Sequence, residues 1–323
     1  MVDLTLSIAQ QQIVDSARTL LQRHAGADRA KALARTDAYD HDLHARLEEA
    51  GFLDMINGEE TGPLETALTA LEVAKAAGAV TYGASAIVAP RLMTERPAGP
   101  VALVRLPADF PVRMAQHAAV VLIDAGDEAR ALDVKAGDVV ERNSKRVGWP
   151  MGYLVPGAVE RARSLGPGTG EILRRWWRLA LALETVGTMQ GAFDLTVSYV
   201  KTRVQFGRPI GEFQVLQHRL AEIAVILESA RWMALEAAFR DGDPLFSSVA
   251  AGRAAGAASM VTRETQQMHG AMGLTREYPL HVWSMRLPPL AVELGGPDAH
   301  RRDAARLRFP TPEMNRRESL GVI

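Results

Sequence analysis

The chain has 323 residues, of which 47% are apolar and 23% are charged, with a formal net charge of −1 and no cysteine. This length and apolar content suffice for a sizeable core, so they exclude an intrinsically disordered protein and predict two or three domains. The balanced charge excludes the basic surface that nucleic-acid binding needs, and the lack of cysteine excludes disulfides, thiolate metal sites and thiol nucleophiles.

The sequence also lacks the features of a membrane or secreted protein. No stretch reaches the roughly 20 apolar residues that a membrane-spanning helix requires. The start, Met1-Val-Asp-Leu-Thr5, lacks the basic and then apolar layout of a signal peptide. We therefore expect a soluble, cytoplasmic protein with no membrane partner.

Residues 1–93 are predicted to form a helical domain. Ser7 is a plausible N-cap because Gln10 follows it three residues later, and Gly51 and Gly62 separate the periodic runs. The apolar residues that recur at helical spacing are Ile8, Ile13, Ala17, Leu20 and Leu21, then Leu43, Leu47 and Ala50, then Leu64, Leu68, Leu71 and Ala74.

Residues 94–168 change to short apolar runs, at 101–106, 118–124 and 138–141, separated by proline and glycine. This pattern predicts a small β domain with a few strands. From 169 to 323 the helical period returns, with long alanine- and leucine-rich helices over 172–202, 214–241 and 245–268. The predicted fold is therefore mainly α, with a small β middle domain and a carboxy-terminal helical bundle.

Two motifs in the last third are the most specific features of the chain. The sequence RVQFGRPIGEFQ at 203–214 resembles the RxQFGxPIxxFQ signature of the acyl-CoA dehydrogenases. QMHGAMGLTREYP at 267–279 resembles that family's Q-x-x-G-G-x-G-x-x-x-EYP segment, with Ala271 in place of the second glycine. A weaker resemblance at 47–62 matches a turn of the family's amino-terminal domain, although its proline and second glycine are missing.

The resemblance covers most of the chain but is specific only from about residue 180 to residue 286. It implies the family's three-domain fold, with helical, β and four-helix domains. It also implies a flavoenzyme that uses FAD to oxidise the Cα–Cβ bond of an acyl-CoA thioester. The family's TEP-x-(A/G)-GSD loop and W-(I/T)-T-x-G strand, which contact the flavin ring and the substrate, are absent from this sequence.

The matched residues form a predicted flavin half-site. An FAD pyrophosphate needs cations and hydrogen-bond donors, and adenine needs a flat apolar surface. In the family, residues at these positions reach across a dimer to the FAD of the neighbouring subunit. The cofactor-binding residues predicted in this way are Arg203, Gln205, Phe206, Gln214, Gln267 and Gly270.

Some of these positions also have an alternative interpretation without a flavin. Taken singly, Arg203 is compatible with a surface ion pair, and Phe206 and Phe213 are compatible with core positions. His269 is interpreted as a packed or solvated histidine rather than a ligand. No Glu-x-x-His pair indicates a di-iron site, and no metal site is predicted.

The catalytic base is not identified by the sequence. The reaction removes an α-proton, so a carboxylate must face the flavin across the thioester. The family places it at one of two positions. The first matches Leu294 or Gly295, with Glu293 one residue away.

The second base position lies ten residues before the glycine of a G-x-x-Q turn, here Gly187 to Gln190, and is occupied by Trp177. Glu184 follows seven residues later on the same helix. Glu293 and Glu184 are therefore the two candidate bases. Trp176 and Trp177 are predicted to be core residues, and a sharper hypothesis is that Trp177 fills the space of a lost substrate.

Three functions follow from these observations. The favoured one resembles the short, degenerate subunit of heterotetrameric (α2β2) bacterial steroid side-chain acyl-CoA dehydrogenases, which shares FAD with a homologous partner subunit that supplies the base. The second is an active homo-oligomeric acyl-CoA dehydrogenase with Glu293 or Glu184 as base. The third is a helical scaffold without flavin. The acyl group of the substrate is not encoded in any recognisable motif.

Overall fold

The amino-terminal part of the computed structural model is helical, as predicted. The structure describes residues 5–142 and 148–310. Residues 1–4, on which the expectation about a signal peptide partly rested, lie outside this range. The first four helices are α1 (Ile8–His24), α2 (Ala27–Arg35), α3 (His41–Glu49) and α4 (Pro63–Lys75).

Local signals in the sequence account for the limits of these helices. The Ser7 hydroxyl accepts a hydrogen bond from the Gln10 amide at 3.2 Å, and the Gln10 side chain accepts one from the Ser7 amide at 3.0 Å, so the predicted capping box is confirmed. Gly51 follows α3 with a φ of +77°, a conformation that favours glycine. After α4 the chain forms a buried π-helical turn at Gly83–Val88.

The middle of the chain forms two small β-sheets. The strands are β1 (Val101–Arg105), β2 (Val112–Arg113), β3 (Val120–Asp124), β4 (Ala129–Asp133), β5 (Val139–Arg142), β6 (Met151–Leu154) and β7 (Arg163–Ser164). The first sheet has the order β1-β3-β4-β7, in which β1 and β3 are parallel and the other pairs are antiparallel. The second sheet is antiparallel, with the order β2-β6-β5.

The carboxy-terminal part is a helical bundle around one long helix. A short helix α5 (Pro156–Glu160) precedes α6 (Thr169–Thr202), which packs against α4, α7 (Gln214–Phe239) and α8 (Pro244–His269). Between α6 and α7 lies a hairpin of β8 (Val204–Gln205) and β9 (Arg208–Pro209). The chain continues through α9 (His281–Ser284), α10 (Leu287–Val292) and α11 (Gly296–Arg308).

The predicted fold class, mainly α with a small β region, is confirmed. The domain boundaries at 93 and 168 stay predictions. Among the described residues, no helix is both long and apolar enough to cross a membrane.

Gly187 to Gln190, predicted to be a turn, lie instead in the interior of α6. The glycine is needed there for packing, because α6 and α4 come very close at this point. A Cβ atom at Gly187 would lie 2.5 Å from the Leu71 carbonyl oxygen and 2.7 Å from the Ala74 Cβ.

This close approach gives a matched pair of substitutions. We expect Gly187→Ala to lower the free energy of unfolding by about 1–3 kcal/mol, because the added methyl group overlaps the backbone of α4. In Gly252→Ala of α8 the added Cβ meets no atom closer than 3.4 Å. That variant should gain up to about 1 kcal/mol from helix propensity. Denaturant unfolding followed by circular dichroism measures the free energy of unfolding of both variants. Equal changes in the two variants would contradict a packing role for Gly187.

Candidate functional site

The first motif forms a hairpin that projects from the end of α6. Val204 pairs with Pro209 and Gln205 with Arg208. Phe206 and Gly207 make the turn, with φ values of +54° and +82°, as a two-residue type I′ hairpin requires. Phe206 is therefore at the tip and 90% exposed, so the interpretation of Phe206 as a core residue is wrong.

Polar groups on this hairpin are open to solvent. Within the described part of the chain, the exposed Arg203 side chain makes no hydrogen bond or ion pair, so the interpretation as a surface ion-pair residue is also wrong. Among the residues that the structure describes, the exposed Gln205 side chain donates only to the adjacent Val204 carbonyl, at 2.7 Å. Gln214 is exposed at the start of α7, where the N-cap Phe213 offers no side-chain acceptor to the helix amides.

The second motif lies at the end of α8. Gln267 and Gly270 are exposed and line a cavity of about 670 Å³, together with Ala271 and parts of α8 and α10. Gly270 has a φ of +60°, and a Cβ added there would meet no atom within 4 Å. The backbone at Gly270 is therefore open to close approach by a ligand.

Aromatic contacts join the two motifs. Tyr199, one helical turn before Arg203, stacks on His269 with ring centroids 4.3 Å apart and contacts Tyr278 edge-on at 5.3 Å. His269 immediately precedes Gly270 in the chain. It is buried, and its Nδ1 donates to the Thr265 carbonyl at 2.8 Å, which agrees with its interpretation as a packed histidine. Burial lowers the pKa of His269, so its ring is neutral near pH 7.

The six predicted half-site residues are thus all exposed on neighbouring segments of the bundle. They offer one unpaired cation, three amide side chains, an open backbone at Gly270 and an exposed aromatic ring. This set fits the requirements of an FAD pyrophosphate and adenine.

A second group of residues lies near the two predicted positions of the catalytic base. Arg113 Nε lies 2.5 Å from Glu293 Oε1, and Arg113 Nη2 lies 3.0 Å from Glu184 Oε2. Both candidate bases therefore pair with the same guanidinium group. Leu294 and Gly295, the residues matched to the first base position, follow Glu293 in a loop with positive φ values.

Trp177, at the second base position, completes this group. Its indole N–H donates to Glu293 Oε2 at 3.0 Å, so the two candidate regions for the base are in contact. The Gly83 amide donates to Glu184 Oε1 at 3.2 Å. We call Arg113, Trp177, Glu184 and Glu293 the Arg113 cluster; with Gly83 it connects the amino-terminal, β and carboxy-terminal parts of the chain. Trp176 is also buried, which confirms that both tryptophans are core residues.

The two carboxylates of the Arg113 cluster are fully engaged by groups of the protein. Both oxygens of Glu293 and both oxygens of Glu184 accept hydrogen bonds from protein donors. Burial disfavours the Arg113 cation, but Glu293 and Glu184 outweigh this effect and raise the pKa of Arg113 above its usual value. Burial raises the pKa of Glu184, an effect that the Arg113 cation only partly offsets.

Two further residues support the Arg113 cluster, and sequence analysis missed both. Arg113 and the buried Arg286 lie against the Trp149 ring, with guanidinium carbons 4.8 and 4.9 Å from its centroid. Burial, and then the Arg113 charge, lower the pKa of Arg286 to about 9. No motif marks Arg113, Trp149 or Arg286, because their partners are distant in sequence: Glu184 and Glu293 are 71 and 180 residues from Arg113.

Comparison with known proteins gives one family match and several relatives. Residues 169–307 match the model of the family described as acyl-CoA dehydrogenase, C-terminal domain. The 3-sulfinopropanoyl-CoA desulfinase of Paraburkholderia xenovorans is 45% identical over 106 residues, which cover 32% of this chain and 27% of that protein. Acyl-CoA dehydrogenase IpdE2 of Mycolicibacterium smegmatis is 38% identical over 146 residues, which cover 45% of this chain and 44% of that protein. These alignments thus span less than half of either relative.

Solved structures match nearly the whole chain. The ChsE4–ChsE5 complex of Mycobacterium tuberculosis superposes with a TM-score of 0.80 at 22% identity, covering 96% of this chain and 100% of the matched one. The Tcur3481–Tcur3483 steroid acyl-CoA dehydrogenase, G363A variant, has a TM-score of 0.80 at 23% identity, covering 94% and 98%. The FAD complex of PigA has a TM-score of 0.75 at 17% identity, covering 95% and 99%.

The family match and the shared fold cover different parts of the chain. Residues 169–307 match the acyl-CoA dehydrogenase C-terminal domain, and the described chain has the acyl-CoA dehydrogenase fold. The resemblance noted in the sequence is confirmed.

Proposed function

We propose that this chain is the supporting subunit of an FAD-dependent acyl-CoA dehydrogenase complex. It donates a flavin half-site to a homologous partner subunit and does not supply the catalytic base. The observation that carries the proposal is the Arg113 cluster, in which both candidate carboxylates of this chain are already engaged.

The half-site residues have distinct roles in this proposal. The Arg203 and Gln267 side chains hold the FAD pyrophosphate, Gly270 allows its close approach, and Phe206 offers a flat surface to the adenine. Gln205 and Gln214 add hydrogen-bond donors beside them. The bound FAD supplies the two-electron acceptor of the reaction. All six residues face solvent in the single chain, as residues that act across a subunit interface must before assembly.

The residues at the base positions argue against catalysis by this chain. Trp177, Leu294 and Gly295 carry no group that accepts a proton near pH 7. Glu293 would have to leave Arg113 to act as a base, and breaking an ion pair that is mostly buried costs up to about 3–5 kcal/mol. The partner therefore supplies the base, the flavin-ring contacts and much of the acyl pocket.

The partner is proposed to be a homologous acyl-CoA dehydrogenase subunit, in an α2β2 assembly. Two of the similar structures, ChsE4–ChsE5 and Tcur3481–Tcur3483, carry the names of two different proteins, and the second is described as a steroid acyl-CoA dehydrogenase. By analogy we propose a steroid side-chain acyl-CoA as substrate, with α,β-desaturation as the reaction.

A second candidate function is an active homo-oligomeric acyl-CoA dehydrogenase with Glu293 as its base. One observation favours it: the Glu293 carboxylate lies against Trp177, at the point where the family's two base positions meet. Activity of this kind requires a substrate that displaces Arg113 from Glu293.

Substitution of the two carboxylates distinguishes these functions. In the complex formed by co-expression with a homologous subunit from its genomic neighbourhood, we expect Glu293→Gln and Glu184→Gln to leave turnover unchanged. A general base contributes about 10²–10⁴-fold to the rate. If the turnover rate falls by that factor in Glu293→Gln but not in Glu184→Gln, and if the variant folds and binds flavin normally, Glu293 is the base.

A further inference from the structure

A cavity of about 310 Å³ lies apart from the flavin half-site, with no lining residue in common. It is bordered by α2, the segment before β6, the loop after α8, and α9. The charged and polar side chains that line it are Lys31, Arg35, Asp37, Trp149, Arg276 and His281.

Among the residues that line this cavity, cationic side chains outnumber acidic ones. Lys31, Arg35 and Arg276 face one acidic residue, Asp37. Lys31 pairs with the exposed Asp28 at 2.8 Å, while Arg35 makes no ion pair within the described residues. Burial lowers the pKa of His281, and the Arg276 and Lys31 charges lower it further. These charges therefore act on a common region, the cavity beside His281.

One buried hydrogen-bond donor lines the cavity, and a second lies behind it. Trp149 lines the cavity and is 7% exposed, and Arg286, 3% exposed, packs on its ring. Neither the Trp149 indole N–H nor the Arg286 Nε has an acceptor among the described residues. Arg286 forms one hydrogen bond, to the Gly78 carbonyl at 3.2 Å, and no ion pair within that part of the chain. Buried donors without acceptors are costly, so a bound acceptor would stabilise this region.

We propose that this cavity binds a phosphorylated small molecule, with its phosphate held by Lys31, Arg35 and Arg276 and an acceptor atom directed at Trp149. The volume of about 310 Å³ is at the lower end of the range of small-molecule sites, so a phosphate with an organic substituent fits better than a free ion. This inference does not depend on the flavin half-site.

Calorimetric titration of the purified full chain tests the proposal, with ADP, pyrophosphate and inorganic phosphate as separate probes at low salt; all variants carry Arg203→Ala, so that binding at the flavin half-site is weakened. We expect ADP to bind more tightly than the two inorganic ions. Tighter binding of either ion would assign the cavity to an inorganic phosphate and would overturn the proposal of an organic ligand. Arg35→Gln should weaken ADP binding by about tenfold or more, because it removes a charge-assisted contact to phosphate.

Arg302→Gln is the matched control, since it removes an exposed arginine of α11 that does not line the cavity. Arg35 is also exposed, so neither substitution should disturb folding. Trp149→Phe keeps the ring against Arg113 and Arg286 but removes the indole donor, and it should weaken binding as well. Absence of binding by the unmodified chain would overturn the proposal, as would equal affinities of the Arg35 and Arg302 variants.

Discussion

Replacing Arg113 by alanine should destabilise the chain by about 3–5 kcal/mol, because Glu184 and Glu293, whose side chains are only 13% and 19% exposed, would lose their common counter-ion. For a chain of this size the melting temperature should fall by roughly 4–7 °C. Thermal unfolding followed by circular dichroism measures the change. The effect should be large because Arg113 connects the second β-sheet to both α6 and the loop after α10.

The matched control for this prediction is Arg18→Ala. Arg18 pairs with Glu72 at 2.8 Å, but its side chain is 47% exposed, so its loss should cost only about 0–1 kcal/mol. Adding Glu293→Gln to Arg113→Ala should recover part of the stability, because it removes one uncompensated buried charge. Equal costs for Arg113→Ala and Arg18→Ala would contradict the description of the Arg113 cluster as a buried ionic connection.

Replacing Arg203 by alanine should weaken flavin binding by the complex about 10–100-fold, the loss expected from about 1.5–3 kcal/mol for a hydrogen bond to a charged group. The thermal stability of the single chain should not change, because the Arg203 side chain has no partner within its described part. Flavin absorbance relative to protein, after dialysis of the complex against dilute FAD, measures the effect.

Arg208→Ala is the control within the same hairpin. The Arg208 guanidinium lies over the Phe213 ring, 4.3 Å from its centroid, and is not among the half-site residues. The complex that carries Arg208→Ala should therefore retain most of its flavin. If both variants keep the flavin of the unmodified complex, the assignment of the half-site is wrong.

The helices of this protein could be predicted from sequence because their signals are local. The period of apolar residues indicated α6, α7 and α8 to within a few residues, and the Ser7 capping box fixed the start of α1. Strands β2 and β7 could not be recognised, since two residues each are too few to display an alternating pattern. Gly187 was misinterpreted because a glycine required by a helix crossing resembles a glycine required by a turn.

The candidate site was predictable only where it lies in contiguous motifs. Matching to the family identified the hairpin and the end of α8, although composition alone did not distinguish an exposed Phe206 from a core residue. Counting residues located Glu293 and Trp177 near the base positions. Their pairing with Arg113 depends on the tertiary fold, because three distant segments supply the cluster. Only the structure therefore shows that Glu184 and Glu293 are already bound by other side chains of the Arg113 cluster.

The most direct test of the supporting-subunit role is to measure bound FAD and acyl-CoA dehydrogenation for the chain purified alone and for its complex with a homologous subunit. We predict that the lone chain contains no FAD and has no activity, whereas the complex holds one FAD for each pair of unlike subunits and turns over. A lone chain that retains FAD and desaturates acyl-CoA would contradict this account.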